Sequence, residues 1–340
     1  MNLIESCMAA AKAKPARVVF PDAIDERAIH AAQRLARQGW AKPVLLANPF
    51  ELRRYCKQRG IVLGDVPVID PQYSQRLDAY VEHYCAHRPG TLPEEASAQM
   101  RDPLWFGAMM LAQGDTDLCI AGNLAATASV LRAGLRVIGL AEGMKTVSSI
   151  MFLISPDGQR VLGFADCGVV PEPTSEQLAD IAIAAADNYR AVTGITSRVA
   201  MLSFSTKGSA KHTAVDSVRQ ATELAKSRRP DLILDGELQF DAAIAPAVAA
   251  QKAPGSPLEG NANVFVFPSL SAGNIGAKIA QRMGKYNALG PMIQGLRLPM
   301  HDLSRGCSTE DMVQTTLLAM RMGGLVSADA PGAAQPLKEA

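Results

Sequence analysis

The chain has 340 residues, of which 48% are hydrophobic and 20% charged, and its formal net charge is +1. This balance is that of an ordinary globular protein, and the length suffices for two α/β lobes or one large domain. Because the net charge is close to zero, no global field attracts nucleic acid or an anionic membrane, and we expect neither as a partner. An anionic ligand would have to be bound by local arginines.

The amino-terminal region and the cysteines indicate a cytoplasmic protein. Glu5, Lys12 and Lys14 interrupt the apolar residues that precede Arg17, so no signal peptide is expected. No apolar run reaches about 18 residues, which argues against a membrane span. The six cysteines lack the spacing of a metal site, and in a chain of this size they indicate reduced thiols.

Short apolar runs along the chain predict buried strands. Most of them lie near Gly, Pro, Asp or Ser and do not alternate with polar residues, which is the pattern of strands buried on both faces. In chain order the predicted strands are Arg17–Phe20, Pro43–Ala47, Asp117–Ala121, Ser149–Ile154, Arg198–Phe204, Leu232–Leu234 and Asn263–Phe267.

Helical patterns alternate with these strands. Apolar residues recur on one face between Glu26 and Gln38, and Thr174–Gln177 forms a capping box ahead of another helix. A further helix is predicted from about Ala214 to Lys226. This alternation predicts an α/β fold with parallel-rich sheets and helices on both faces.

The segment Ala121–Arg132 combines small residues with polar groups directly after a buried strand. Small residues let a ligand approach backbone donors, and Thr127, Ser129 and Arg132 could bind phosphate. The same composition is equally compatible with a close-packed helix start.

The segment Gly273–Arg282 follows the last predicted strand, and its glycine pair is expected to open a helix. Open α/β sheets bind ligands beyond the carboxyl ends of their strands, which makes Gly273, Asn274 and Arg282 candidates for a binding site. The alternative is a tight turn with close packing, in which Arg282 is a solvated helix residue.

The richest polar cluster is His301–Asp311. Ser308 is predicted to begin a helix with Asp311 three residues into it, which is the spacing of a capping box. A functional interpretation is that Ser304, Arg305 and free backbone N–H groups meet at the helix N-terminus, where phosphate or a developing oxyanion is favoured. The two interpretations are compatible.

Two further segments, Gly163–Cys167 and Leu234–Asp241, place carboxylates close after buried strands. They would either line a cleft or cap a helix and fix a loop. His83 and His87 stand four apart on a predicted helix, a spacing that can place two imidazoles on one metal. No obvious third ligand is near them, and we predict no metal site.

Together these motifs resemble the phosphate acetyl/butyryltransferase family. The resemblance runs from about Arg17 to Met320. Within the family, the sequence is most similar to the branch encoded in ethanolamine-utilisation operons. The motifs that carry it are Phe20-Pro21-Asp22, Asp25-Glu26-Arg27, Gly163–Cys167, Asp235–Phe240, Gly273–Arg282 and Asp302–Ser308.

The resemblance implies an isocitrate-dehydrogenase-like fold of two α/β/α lobes with the active cleft between them, in a homodimer. Residues 1–142 with 300–340 would form the first lobe and residues 143–299 the second. The implied reaction is acetyl-CoA + phosphate = acetyl phosphate + CoA, with coenzyme A as a substrate and no permanently bound cofactor. Location in a microcompartment is left open.

The resemblance also implies roles for particular residues. Ser304 and Arg305 would lie at the reacting centre, and Asp311 would be the thiol base. Arg132 and Arg282 would bind coenzyme A or phosphate. Arg88 lies near a position at which the family has an arginine, but its surroundings depart from the family pattern.

Thiol attack within a ternary complex is the expected route, because coenzyme A brings its own thiol. Cys307 is expected to have a lowered pKa beside Arg305 and a helix N-terminus, so a covalent acetyl-cysteine route is the alternative. Other functions left open are phosphate butyryl- or propionyltransfer, NAD-dependent decarboxylating dehydrogenation on a related fold, and a non-catalytic coenzyme A-binding scaffold.

Overall fold

A computed structural model describes residues 2–328, and residues 329–340 of the predicted first lobe lie outside it. The chain divides into two compact units. We call residues 4–141 with 296–328 the split unit, and residues 142–295 the inserted unit. None of the helices within residues 2–328 has the length and apolarity needed to cross a membrane.

Strands and helices alternate along the chain. The strands are β1 Ala16–Phe20, β2 Ala41–Leu46, β3 Val68–Ile69, β4 Leu118–Ala121, β5 Ser148–Ile154, β6 Val161–Ala165, β7 Arg198–Leu202, β8 Ile233–Leu238, β9 Val264–Val266, β10 Asn287–Gln294 and β11 Met300–Asp302. The helices are α1 Leu3–Ala13, α2 Glu26–Arg37, α3 Pro49–Arg59, α4 Leu77–His87, α5 Pro93–Met100, α6 Pro103–Ala112, α7 Thr127–Ala133, α8 Ser175–Thr193, α9 Thr213–Arg228, α10 Phe240–Ile244, α11 Pro246–Lys252, α12 Leu270–Arg282 and α13 Thr309–Met322. A π-helical turn, Gly134–Ile138, continues α7.

The split unit contains a parallel sheet of five strands in the order β11-β4-β1-β2-β3. In this order β1, β4 and β11 are neighbours, with Asp302 opposite Ala121. The carboxyl ends of parallel strands meet at one edge, which is where open α/β sheets bind ligands. The loops that follow β1, β4 and β11 are therefore brought together.

The inserted unit contains a mixed sheet of six strands in the order β10-β5-β6-β9-β7-β8. Strand β5 pairs antiparallel with both β6 and β10, and the remaining pairs are parallel. All seven predicted strands are present, and the predicted parallel-rich α/β fold is confirmed. Strands β3, β6, β10 and β11 were not predicted; β6 and β10 each contain a glycine, and β10 also contains Pro291, which disguises a strand pattern.

Local signals explain the best-predicted helices. In α8 the Thr174–Gln177 capping box is formed, and the apolar residues behind it, including Leu178 and Ile181, are buried. In α2, Asp25 caps the N-terminus and Ile29 and Leu35 face the core. Burial of each such leucine or isoleucine contributes roughly 1.5–3 kcal/mol, which anchors both helices to their sheets.

Candidate active site

Asp22, which follows β1, fixes the loop that follows β4. Its Oδ2 accepts hydrogen bonds from the backbone N–H groups of Gly122, Leu124 and Ala125 at 2.8, 3.1 and 3.0 Å. Three donors on one carboxylate oxygen define the path of the chain from β4 into α7. Sequence reasoning used Asp22 only as part of the family resemblance.

Arg27 connects this loop to the one that follows β11. Its guanidinium donates to both carboxylate oxygens of Asp25, to Asn123 O at 3.0 Å, and to Arg305 O and Cys307 O at 2.7 and 2.8 Å. Burial opposes ionisation of Asp25, but the hydrogen bonds from Arg27 and Asn123 outweigh it and hold the pKa of Asp25 below its ordinary value. The planar guanidinium of Arg27 thus holds the loop after β4 and the loop after β11 together.

The loop 303–307 presents Ser304 and Arg305 to solvent. Ser304 O accepts from Cys307 N at 2.9 Å, and Ser304 Oγ accepts from Gly306 N at 3.3 Å, so the loop is a closed turn. The Arg305 guanidinium has no hydrogen-bond or ion-pair partner among residues 2–328. It is therefore available for an anion, while its backbone carbonyl is held by Arg27.

Asp311 and Ser308 form the predicted capping box of α13. Ser308 Oγ accepts from Asp311 N at 3.1 Å, and Asp311 Oδ2 accepts from Ser308 N at 2.8 Å. The Asp311 side chain remains half-buried rather than enclosed. The capping interpretation is confirmed, whereas the role of thiol base stays a prediction.

Cys307 differs from the expectation drawn from the sequence. The residue is 8% exposed, and its Sγ lies 3.9 Å from Arg27 Nη1. Burial raises the pKa of the Cys307 thiol to about 11, and the opposing effect of Arg27 is smaller. The expected lowered pKa is therefore wrong, because desolvation of the thiolate outweighs the nearby positive charge.

Helix α7 carries Thr127, Ser129 and Arg132, the predicted phosphate ligands, and Ala126 provides no side-chain cap. Thr127 and Arg132 are exposed and Ser129 is half-buried, so their side chains are accessible to a ligand, while Val130 and Ala133 of the same helix are buried. Thr127 Oγ1 donates to Asp302 Oδ2 at 2.6 Å. Arg132 has no hydrogen-bond or ion-pair partner within the described part of the chain.

Gly122 permits this contact between the loops after β4 and β11. Its φ is +90°, and a Cβ at this position would lie 1.9 Å from Asp302 Oδ1. Any other residue would displace Asp302 and the start of loop 303–307.

Arg88 has a structural role at the end of the π-helical turn that continues α7. Its guanidinium donates to Arg136 O and Leu135 O, each at 3.0 Å. Arg297 donates to Ile138 O at 3.2 Å. The two arginines satisfy carbonyls that the helix end leaves without donors, and so hold the helix that presents Arg132.

In the inserted unit, α12 begins at Leu270 with Ser269 as its cap. The prediction that the glycine pair opens this helix is wrong, because Gly273 lies inside it. A Cβ on Gly273 would fall 2.1 Å from Asp166 O, so this position requires glycine for close packing. Asn274 Nδ2 donates to Cys167 O at 3.1 Å, which also ties α12 to its own unit.

Arg282 is the last residue of α12 and is exposed. It lies about 18 Å along the axis from the first residue, so it is not at the helix start. No hydrogen bond or ion pair joins its guanidinium to the rest of residues 2–328. Arg282 therefore remains a candidate anion ligand, but not through the helix N-terminus.

The carboxylates of Gly163–Cys167 and Leu234–Asp241 fix loops. Asp166 accepts from the backbone N–H groups of Gly168, Val169 and Val170 and from Ser149. In the second segment Asp235 pairs with Lys207 and Lys226, and Glu237 pairs with Arg219. The loop-fixing alternative is confirmed for Asp166, whereas Asp235 and Glu237 lie inside β8 rather than after a strand and form ion pairs with α9.

The rings of His83 and His87 stack on each other, with their centroids 4.0 Å apart, and His87 Nδ1 lies 2.9 Å from His83 O. Within residues 2–328 no group of three or more His, Cys, Asp or Glu side chains is placed to hold a metal ion.

A cavity of about 470 Å³ opens in the split unit, beyond the ends of β1, β2 and β3. Its lining includes three acidic residues, Asp22, Glu51 and Asp70, and one basic residue, Arg101. This excess of negative charge disfavours a phosphate there. The exposed Arg305 is better suited to an anion.

The structure is that of an α/β protein in which an exposed loop with Ser304 and Arg305 precedes the N-terminus of α13. The chain matches the family described as "Phosphate acetyl/butaryl transferase" over residues 2–320. It is 43% identical over 319 residues to the phosphate acetyltransferase of Thermoanaerobacterium thermosaccharolyticum, covering 92% of this chain and 97% of that protein.

Comparison with solved structures also finds phosphotransacetylases. A phosphotransacetylase from Streptococcus pyogenes superposes with a TM-score of 0.89 at 39% identity, covering 95% of this chain and 98% of that one. The EutD phosphotransacetylase from Staphylococcus aureus gives a TM-score of 0.87 at 38% identity, covering 94% and 98%. The chain belongs to the phosphate acetyl/butyryltransferase family, as its motifs predicted.

Proposed function

We propose that this protein is a phosphate acetyltransferase that moves an acetyl group between coenzyme A and inorganic phosphate. The observation that carries the proposal is the exposed Arg305 guanidinium, which is unpaired among the described residues and stands beside Ser304. An arginine fork next to a helix N-terminus suits a phosphate or phosphoryl group. The names of the relatives and structural neighbours support acetyl as the acyl group.

The proposed reaction is direct transfer in a ternary complex. The coenzyme A thiol loses its proton to solvent, and the resulting thiolate attacks the carbonyl carbon of acetyl phosphate; a C–S bond forms, and the phosphate leaves with the electron pair of the broken C–O bond. Arg305 and Ser304 would donate hydrogen bonds to the charge that develops on the carbonyl oxygen and the departing phosphate. Holding both substrates in place removes several kcal/mol of the barrier.

The remaining candidate residues are proposed to bind coenzyme A or to orient its thiol. Asp311 would orient the thiol more than deprotonate it, because its Oδ2 already accepts the hydrogen bond from Ser308 N that closes the capping box. Arg132 and Arg282 are proposed to bind the phosphates of coenzyme A, with Ser129 as a further donor. The structural contacts of Gly273 and Asn274 account for these two residues without a ligand.

We also propose that the protein acts as a cytoplasmic homodimer, with coenzyme A as a substrate and no permanently bound cofactor. Assignment to the ethanolamine-utilisation branch rests on the Leu234–Asp241 segment and on the similarity to the EutD phosphotransacetylase from Staphylococcus aureus.

The test is an assay of thiol consumption by the purified chain with coenzyme A and acetyl, propionyl or butyryl phosphate, each with and without NAD. Fastest consumption with acetyl phosphate, unchanged by NAD, is the expected result. A preference for butyryl phosphate would reassign the acyl group, and dependence on NAD would favour a dehydrogenase. Binding of coenzyme A without turnover would indicate a scaffold.

Cys307→Ala is expected to keep most of its activity, because a buried thiol with a raised pKa is a poor nucleophile at neutral pH. Two-substrate kinetics should give intersecting double-reciprocal lines. Parallel lines, an inactive Cys307→Ala variant and an acetyl adduct on the intact protein would together place the nucleophile on the enzyme.

A further inference from the structure

Asp302, the last residue of β11, is a buried carboxyl that the proposed mechanism does not use. It is 4% exposed, and among residues 2–328 its Oδ1 has no hydrogen-bond partner. Leaving a charged oxygen buried without a donor is costly, so the surroundings give the ionised form little support. Ser304 follows two residues later, which keeps the two Cα atoms within about 7 Å of each other.

The direction of the bond between Thr127 and Asp302 determines what Thr127 can offer a ligand. A threonine hydroxyl has one proton, and Thr127 Oγ1 donates it to Asp302 Oδ2 when this carboxylate is ionised. The exposed Thr127 then has only lone pairs to present. The ionised oxygens of a phosphate dianion are also acceptors only, so Thr127 cannot donate a hydrogen bond to them in this state.

We propose that Asp302 is a positioning residue that takes up a proton from solvent when a phosphate or phosphoryl group binds beside Arg305, whereupon Thr127 donates its hydroxyl proton to the ligand. This inference rests on the proposed function. The proton resides on Asp302 Oδ2 and is donated to Thr127 Oγ1, which reverses the existing hydrogen bond. No other bond forms or breaks.

The charges around Asp302 make this proton uptake easy. Burial, with a smaller contribution from Asp22, raises the pKa of Asp302 to about 6 against the opposing effects of Thr127 and Arg305. The residue after β4 and the first residue of helix α7, which both lie against Asp302, are the uncharged Gly122 and Thr127. An arriving phosphate dianion adds negative charge and engages Arg305, and both effects favour the neutral carboxyl.

The experiment is calorimetric titration of the full-length protein with inorganic phosphate at pH 7.5, in buffers of different ionisation enthalpy. The wild type is expected to take up close to one proton more per bound phosphate than Asp302→Asn, whose amide can donate to Thr127 permanently. The ligand's own ionisation is common to both proteins and cancels. Equal uptake by the two folded proteins would overturn the inference.

Variants of Thr127 keep the inference testable if Asp302→Asn does not fold. Thr127→Val should weaken phosphate binding about 10- to 100-fold and lose the additional proton uptake, since one hydrogen bond to a charged ligand is removed. Thr127→Ser should retain both. Thr127→Val with unchanged proton uptake would refute the coupling, whereas a wild type that binds no phosphate would refute the proposed function itself.

Discussion

Arg305→Lys is expected to lower kcat about 10²–10³-fold, the loss typical of removing a donor to developing negative charge. Lysine keeps the positive charge but loses the planar fork that binds phosphate in a bidentate manner. The fold should be unaffected, because the Arg305 side chain makes no hydrogen bond or ion pair with the described residues. The loop contact to Arg27 uses the backbone carbonyl of Arg305, which the substitution retains.

Arg54→Lys is the matched control for this prediction. Arg54 is also exposed, lies on α3 of the same unit, and has no hydrogen-bond or ion-pair partner among residues 2–328. Steady-state kinetics with both substrates and thermal unfolding should be measured for the two variants. Near-normal turnover of Arg305→Lys would mean that Arg305 is a bystander and that the reacting centre lies elsewhere.

Features set by neighbouring residues could be predicted from the sequence. The strand β1, the capping box of α8 and the start of α13 at Ser308 each depend on a few consecutive residues, and all three are present. The polar cluster on α7 was also found, because a buried strand followed by small residues and hydroxyls is a local pattern. Its exposure, however, is decided by what packs against it.

Features set by distant residues could not be predicted. The three carbonyl partners of Arg27 lie 96, 278 and 280 positions away in the chain, so no spacing near Asp25-Glu26-Arg27 indicates them. The interior position of Gly273 is likewise decided by Asp166 O, a backbone atom of another element. The pKa of Cys307 was misjudged for the same reason, since its burial depends on tertiary packing.

The antiparallel strand β10 shows a further limit. It contains Gly290 and Pro291, and its register with β5 shifts between Leu289 and Met292. Glycine and proline normally argue against a strand, and only the irregular pairing accommodates them. Tertiary pairing here overrides the local preference of the sequence.

The second large effect is expected for Arg27→Ala, which removes the guanidinium that holds the loops after β4 and β11. The carbonyls of Asn123, Arg305 and Cys307 would lose a donor, and Asp25 would lose its partner. The free energy of unfolding at pH 7 should fall by about 2–4 kcal/mol. Because Arg305 would no longer be held in place, kcat should fall about 10- to 100-fold.

Arg34→Ala is the control for Arg27→Ala, since Arg34 lies on the same helix and pairs with Glu310 at the start of α13. That pair is partly exposed and contributes about 0–1 kcal/mol, so its loss should leave both stability and kcat nearly unchanged.

The dependence of stability on acid pH provides a second check of the Arg27→Ala prediction. The lowered pKa of Asp25 means that its stabilising contribution is present above the ordinary value of 3.8 and is lost as the pH falls through the folded-state pKa. The difference in unfolding free energy between wild type and Arg27→Ala should therefore shrink in strong acid. A difference that stays constant from pH 7 down into that range, or an Arg27→Ala variant as active as Arg34→Ala, would show that the Arg27 guanidinium does not organise the site.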